Sequence, residues 1–326
     1  MEKIDNYQIL LKNEFENIFY NYKPTVDHIY LPIYYALDSG KKLRASSVLL
    51  SSEVFGEINR NAIVCAVAAE MFHNFTLLHD DVMDKSLLRR NKPTVQAKWG
   101  VNQAILTGDA MLILVYQKLL ELTPDVYFKV LEVVNKTALE VCEGQQLDMD
   151  FESIEIVSTL EYNTMIKLKT AVLLAASLSI GAIVAKTSDY NINQIYEFGL
   201  NLGLAFQIQD DYFDTFGDTN TFGKKVGNDI ITNKKTFLYT TALERASQNH
   251  KNELLLLYKN NDIDHDEKIS RVVEIFKIYE VDKMAIETTN EYFQKSIKCL
   301  ENLNDVDLQK KQLFYSYAQM IINRKK

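Results

Sequence analysis

The sequence predicts an all-α protein, a single large helical domain running from residue 1 to residue 326. Three observations point there. The first is a shortage of punctuation. The chain holds eleven glycines and four prolines, where an average soluble protein of this length carries roughly 39 of the two together. Hairpin turns draw on both residues, so a sandwich or barrel is nearly excluded. A dinucleotide-binding α/β fold, with its glycine-rich turn, is disfavoured for the same reason. The second observation is a series of helix-start signals. The third is the uncharged run from Thr170 to Ala185, closed by Lys169 and Lys186 and containing Ser177, Ser179 and Gly181. As a helix it spans roughly 24 Å, short of the ~30 Å needed to cross hydrocarbon. It reads as a buried central helix with no membrane span.

Taken in order, helices are expected near 5–21, 25–37, 42–55, 60–86, 101–121, 125–149, 158–186 and 191–214, with shorter ones between 235 and 323. Thr123-Pro124-Asp125 places an N-cap before a proline at the first helical position. Ser158 to Glu161 forms a capping box, and Asn191 to Gln194 an Asn-led variant. Two stretches break the pattern, Lys85 to Gly100 and Gly217 to Thr236, and each follows an acidic cluster. No flexible linker separates domains.

Composition narrows the function. With 36 Lys and Arg against 44 Asp and Glu, the net charge is −8, so the chain as a whole is no nucleic-acid binder. Cys65, Cys142 and Cys299 are odd in number and widely spaced, as reduced structural thiols. The acidic N-terminus (Glu2, Asp5, Glu14, Glu16) is no signal peptide. Together these features imply a soluble, cytoplasmic protein. P-loop, HExxH, GxSxG and CxxC signatures are all missing from the sequence, which leaves those chemistries without motif support.

The informative pattern is DDxxD, written twice: Asp80-Asp81-x-x-Asp84 and Asp210-Asp211-x-x-Asp214. At 100° per residue the carboxylates of each cluster fall at about 0°, 100° and 40°, within one helix face. Three anions so close repel one another. Their neighbours are apolar: Leu77, Leu78, Val82 and Met83 in one, Phe206, Ile208, Tyr212 and Phe213 in the other. Partly buried like charges need a cation. Carboxylates without His or Cys suit Mg²⁺, whose remaining ligands are commonly phosphate oxygens. A diphosphate or triphosphate substrate follows. Basic residues flank the clusters: Arg89-Arg90 after the first, Lys224-Lys225 after the second, Gly40-Lys41-Lys42-Leu43-Arg44 upstream, and Lys169, Lys234 and Lys235. His73 precedes Asp80 by seven residues, nearly two turns, on the same helix side.

On these residues, over about 36 to 236, the sequence resembles the trans-isoprenyl diphosphate synthases, or polyprenyl synthetase family. The DDxxD pair resembles that family's two aspartate-rich motifs. Gly40 to Arg44, Gly144-Gln145-Gln146-Leu147-Asp148, Lys169-Thr170, Phe206 to Gln209, Gly223-Lys224 and Gly227-Asn228-Asp229 are similar to its other segments. Ala45 departs from it, standing where the family has Pro. The resemblance implies an isoprenoid synthase-type bundle around a deep central cavity, and a homodimer. It implies a Mg²⁺-dependent condensation of isopentenyl diphosphate with an allylic diphosphate primer (dimethylallyl, geranyl or farnesyl).

Roles carry over by position. Asp80, Asp84 and Asp210 would hold three Mg²⁺ ions on the allylic diphosphate, supported by Asp81, Asp148, Asp211 and Asp214. Arg89, Lys169, Lys224 and Lys234 would grip that diphosphate. Lys41, Arg44, His73 and Arg90 would hold isopentenyl diphosphate, and Thr170 and Gln207 would flank the developing cation. In this family the residues before the first motif set product length. Phe72, Phe75 and the small Thr76 imply a C15–C20 product, leaning to C20. A terpene cyclase or squalene-type synthase, or a non-catalytic partner subunit, is the alternative. Two intact aspartate motifs with Lys41, Arg44 and Arg90 favour the elongating enzyme.

Overall fold

A computed structural model of the chain describes residues 2–21, 27–38, 40–217, 227–260 and 262–323, the side chains of 2–5, 17–21 and 27 aside. The described residues are helical apart from loops and one small hairpin, β1 (Leu88–Arg89) against β2 (Lys92–Pro93). The chain divides into two compact units. One comprises Met1–Lys136, Ala176–Tyr196 and Asn304–Leu313, the other Thr137–Ala175, Glu197–Leu303 and Phe314–Lys326.

The first unit contains α1 (Glu2–Asn21), α2 (Asp27–Leu37), α3 (Leu43–Phe55), α4 (Arg60–Met83), the hairpin, α5 (Val95–Trp99), α6 (Val101–Leu119) and the start of α7 (Pro124–Ser153). The central helix α4 packs chiefly on α6 and α3. Its buried run from Val64 to Ala69 includes Ala66, Ala68 and Ala69, small residues that let neighbouring helices approach closely. Asn59 caps it by accepting from the Ala62 N–H at 3.0 Å. The hairpin turns at Arg90 and Asn91, with φ of 54° and 60°. Two central residues with positive φ match the right-handed twist of the flanking strands.

The second unit contains the rest of α7, α8 (Thr159–Ile166), a π turn over Lys167–Ala171, the first turn of α9 (Val172–Val184) and most of α10 (Asp189–Phe216). It continues through α11 (Asn228–Ile231), α12 (Phe237–Arg245), α13 (Gln248–Lys259), α14 (His265–Ile278), α15 (Val281–Glu301) and the end of α16 (Leu308–Ile322). The expected helix over 158–186 is thus present, but a wide turn interrupts it at Lys169-Thr170. Gly144 on α7 explains the crowding there, since a Cβ on it would lie 2.2 Å from the Lys169 amide nitrogen.

Two capping expectations hold: Pro124 opens α7, and Ser158 with Glu161 forms the capping box. The third is corrected. α10 begins at Asp189, and Ser188 Oγ accepts from the Asn191 N–H at 3.3 Å. Asn191 lies inside the helix, where its side chain binds the backbone of Asn304 in both directions. The distant partner takes the amide that local spacing had allotted to capping.

All three cysteines are free thiols. Two helical stretches, Arg60–Met83 and Thr159–Val184, are long and apolar enough to cross a membrane, but 61% and 78% of their most apolar windows lie buried inside the fold. They are core helices.

Candidate active site

In the first unit, Asp80 and Asp81 close the last turn of α4 and Asp84 caps its end. The hairpin folds Arg89 back onto them. Its Nη2 donates to Asp80 Oδ2 at 2.9 Å and its Nε to Asp81 Oδ1 at 2.8 Å. The loop is held in place by Gln96 Nε2, which donates to the carbonyls of Asp81 and Ser86, and by Thr94 Oγ1 on Ser86 O. The three carboxylates are not equivalent. Asp81 is 5% exposed, Asp80 is partly covered and Asp84 is open to solvent. Burial raises the Asp81 pKa against the pull of Arg89. Burial alone would lower the Arg89 pKa, and the charges of Asp81 and Asp80 reverse it.

Behind this cluster lies a pocket of cations. Gly40, at φ +90°, leaves room for Arg90, because a Cβ there would sit 2.0 Å from Arg90 Nη1. Lys42 adopts a left-handed conformation (φ 51°) at the start of α3 and offers no side-chain cap. Glu70, 3% exposed on α4, caps α3 from outside by accepting from the Ala45 N–H at 3.3 Å. Burial lowers the pKa of both Lys42 and Arg90, and the Glu70 charge opposes the shift in each. His73 is held well below its ordinary pKa by burial, then by Arg44, Arg90, Arg89 and Lys42. Burial and these cations favour its neutral form. Lys41 lies exposed in the turn before α3, where its carbonyl accepts from Gln8 Nε2 at 2.8 Å.

In the second unit, Asp211 is 3% exposed near the end of α10. Its Oδ2 accepts from the Tyr162 hydroxyl and from the Phe237 N–H (2.9 Å), and its Oδ1 from Gln207 Nε2 at 3.2 Å. Burial, then the charge of Asp229, pushes its pKa up to about 7. Asp214 binds the following segment twice: Oδ2 accepts from the Asp229 N–H at 2.8 Å, and its carbonyl from the Gly227 N–H at 2.6 Å. Lys234 is exposed, its N–H on Asp229 O at 2.9 Å. Lys169 Nζ pairs with Asp148 Oδ2 at 2.5 Å, and Thr170 Oγ1 donates to Gln207 Oε1 at 3.4 Å. Asp210 is partly exposed on α10 beside Asp211. Lys224 lies outside the described residues.

The chain-length candidates sit one to two turns upstream of Asp80. Phe72 is buried, its ring 5.6 Å from Phe75, and Phe75 meets the His79 ring edge-on at 4.9 Å. His79 Nε2 lies 3.2 Å from the Ile105 carbonyl on α6. Thr76 Oγ1 bonds back to the His73 carbonyl at 2.8 Å. Phe72 and Phe75 are ring neighbours, as their three-residue spacing requires.

Sequence reasoning missed Glu70, although a single carboxylate in the apolar run Ala66 to Phe72 is a readable signal. It also missed Tyr162, which carries none. Among the described residues no three His, Cys, Asp or Glu side chains converge on a preformed metal cage. The donor set is nevertheless carboxylate oxygen throughout, which fits Mg²⁺ completing its shell with phosphate oxygens.

The comparisons agree with this chemistry. The family model "Polyprenyl synthetase" matches residues 26–276. A short chain isoprenyl diphosphate synthase of Methanothermobacter thermautotrophicus is 37% identical over 82% of each chain. A geranylgeranyl diphosphate synthase of Sulfolobus acidocaldarius is 34% identical over 100% of both. A crystal structure of a geranylgeranyl pyrophosphate synthase superimposes with a TM-score of 0.93 and 40% identity, covering both chains fully.

Proposed function

The chain belongs to the polyprenyl synthetase family, and from that premise we propose that it condenses isopentenyl diphosphate with an allylic diphosphate. The product is a trans-prenyl diphosphate of C15–C20, with C20 favoured by the geranylgeranyl-forming relatives. The observation that carries the reading is the repeated DDxxD with a cation acting on each cluster: Arg89 on Asp80 and Asp81, and the Lys234 charge on Asp211.

In this reading Asp80, Asp84 and Asp210 would hold Mg²⁺, with Asp148 and Asp214 in support and Asp81 and Asp211 orienting their neighbours. Bound Mg²⁺ supplies neutralising charge to the departing diphosphate. Arg89, Lys169, Lys224 and Lys234 add cationic grip on that group. The neutral His73 donates one N–H to isopentenyl diphosphate beside Lys41, Arg44 and Arg90. The allylic C–O bond breaks, the isopentenyl double bond forms the new C–C bond, and one proton is lost. Thr170 and Gln207 present oxygen dipoles to the transient cation, and surrounding apolar side chains exclude water that would quench it.

The reading takes residues 1–326 as one catalytic domain of a soluble, cytoplasmic enzyme that acts as a homodimer. Leu106, Ile113 and Leu120 support the dimer, being exposed at seven-residue spacing along and just after α6, with Phe128 exposed on α7. Phe75, on Phe72 and His79, closes the space available to the growing chain.

The test is incubation of purified protein with Mg²⁺, labelled isopentenyl diphosphate and dimethylallyl, geranyl or farnesyl diphosphate, followed by sizing of products. Elongation to C20 is expected, and no elongation from any primer defeats the reading. Phe75→Ala should add at least one isoprene unit; unchanged product length removes Phe75 from the length-setting residues.

A further inference from the structure

Five charged side chains are buried among the described residues: Glu70, Asp81, Lys118, Asp211 and Lys268. Glu70, Asp81 and Asp211 belong to the two sites above, and Lys118 pairs with Glu121 at 2.8 Å. Lys268 remains. It lies on α14, far along the chain from either acidic motif, and is 3% exposed. A buried ammonium is costly unless compensated. Among the described residues its compensation comes from neutral groups. Nζ donates to Asn233 Oδ1 at 2.5 Å and lies 5.5 Å from the centre of the Tyr258 ring. Burial lowers its pKa.

What Lys268 holds is the segment that holds Asp214. Asn233 stands in a left-handed conformation (φ 60°) just beyond α11. The next residue, Lys234, donates its N–H to Asp229 O at 2.9 Å. Asp229 in turn donates its N–H to Asp214 Oδ2 at 2.8 Å, and Gly227 its N–H to Asp214 O at 2.6 Å. The other end of the segment meets the neighbour of Lys268. A Cβ on Gly227 would lie 2.8 Å from Ile269 Cδ1. Consecutive residues of α14 therefore clamp the segment at both ends, Ile269 at Gly227 and Lys268 at Asn233. A helix of four residues cannot sustain itself, since nucleation is unfavourable and short helices are marginal. Its shape comes from contacts outside it: these two and the hydrogen bonds to Asp214.

We propose that Lys268 is a positioning residue for the second aspartate cluster, fixing Asp214, Asp229 and Lys234 through Asn233. It touches neither substrate nor metal. The proposal rests on the function above only in taking Asp214 and Lys234 as part of the diphosphate-binding machinery.

Lys268→Met keeps the volume and removes the buried charge together with its hydrogen bond to Asn233. Asn233→Gly keeps the left-handed backbone and removes the acceptor. Asn233→Asp keeps an acceptor and is the rescue variant. The first measurement is hydrogen exchange of the free protein. Peptides covering 227–236 should exchange about tenfold faster in Lys268→Met and in Asn233→Gly, no faster in the double variant, and at the wild-type rate in Asn233→Asp. Peptides from α4 should not change. The second is kinetic. The Mg²⁺ concentration for half-maximal rate and the KM for the allylic diphosphate should rise severalfold, and the KM for isopentenyl diphosphate should stay constant.

Unchanged exchange over 227–236 in both single variants overturns the clamp. Faster exchange throughout the chain makes Lys268 a general stabiliser and also overturns it. Altered exchange with wild-type Mg²⁺ and allylic responses overturns the functional part. A wild type that elongates no primer defeats the proposed function, and the exchange result still decides the clamp.

Discussion

The two acidic clusters are spelled alike and built differently. In the first, the middle aspartate, Asp81, is neutralised by a guanidinium eight residues away on the following hairpin. In the second, the middle aspartate, Asp211, is buried among neutral donors: a tyrosine hydroxyl 49 residues upstream, a backbone N–H 26 residues downstream, and Gln207 one turn back. One cluster is a local ion-pair unit in which the nearby guanidinium opposes the upward push of burial on the Asp81 pKa. The other is a long-range hydrogen-bonded anchor whose carboxyl is pushed up to about 7 by burial. The same five-residue string thus yields one cluster assembled by its own loop and one assembled by the fold.

The largest expected effect tests whether both clusters are indispensable despite this difference. Asp80→Ala and Asp210→Ala should each lower kcat/KM by about a thousandfold, or about 4 kcal/mol of transition-state stabilisation. Steady-state rates with labelled isopentenyl diphosphate measure it, and a near-wild-type rate in either variant would make that cluster dispensable.

Gly40→Ala should break only the first unit's cation pocket. The added methyl collides with Arg90 and is strained at φ +90°. The KM for isopentenyl diphosphate should rise by about ten- to a hundredfold, the cost of displacing a binding group by an ångström. An equal rise for the allylic substrate would show that the pocket is not selective.

Tyr162→Phe should break only the second. Removing one donor from buried Asp211 should cost about 1–2 kcal/mol, read from urea unfolding. Arg44, His73 and Arg90 should be untouched, so the binding of isopentenyl diphosphate should not change.

The smallest effect sharpens the electrostatic contrast. His73 sits well below its ordinary pKa of 6.5 in the fold, through burial first and nearby cations second, and an unfolded chain has neither. Below about pH 6.5 the unfolded state takes up a proton that the folded state refuses, so stability falls as pH drops toward the folded pKa. The contribution is at most about 1.4 kcal/mol per pH unit. His73→Gln should flatten that part of the urea-midpoint profile between pH 7 and 5.5. An unchanged slope would mean that His73 is protonated in the fold.

Much of the fold was legible beforehand because helices write themselves locally. The expected 60–86 became α4 (Arg60–Met83), and 191–214 became α10 (Asp189–Phe216). The π turn at Lys167–Ala171 was not legible, because it arises where the backbone of α7 crowds in at Gly144. Arg89 was legible as a partner of the first cluster, since only a short hairpin separates them. Glu70 was legible in principle and passed over. Lys268 was not, because it looks like any lysine on the polar side of an amphipathic helix until α11 is laid against it.

The sequence by itself determined the helical class, through its scarcity of turn residues, and the positions of both carboxylate clusters, through helical phase. Those are properties of neighbours in the chain. Only the tertiary structure decided which carboxylate of each cluster is buried, which donors hold it, and that Glu70 meets the start of α3 and Lys268 meets Asn233. Burial and hydrogen-bond partnership depend on residues tens of positions apart meeting at distances near 3 Å, and no local period encodes that meeting.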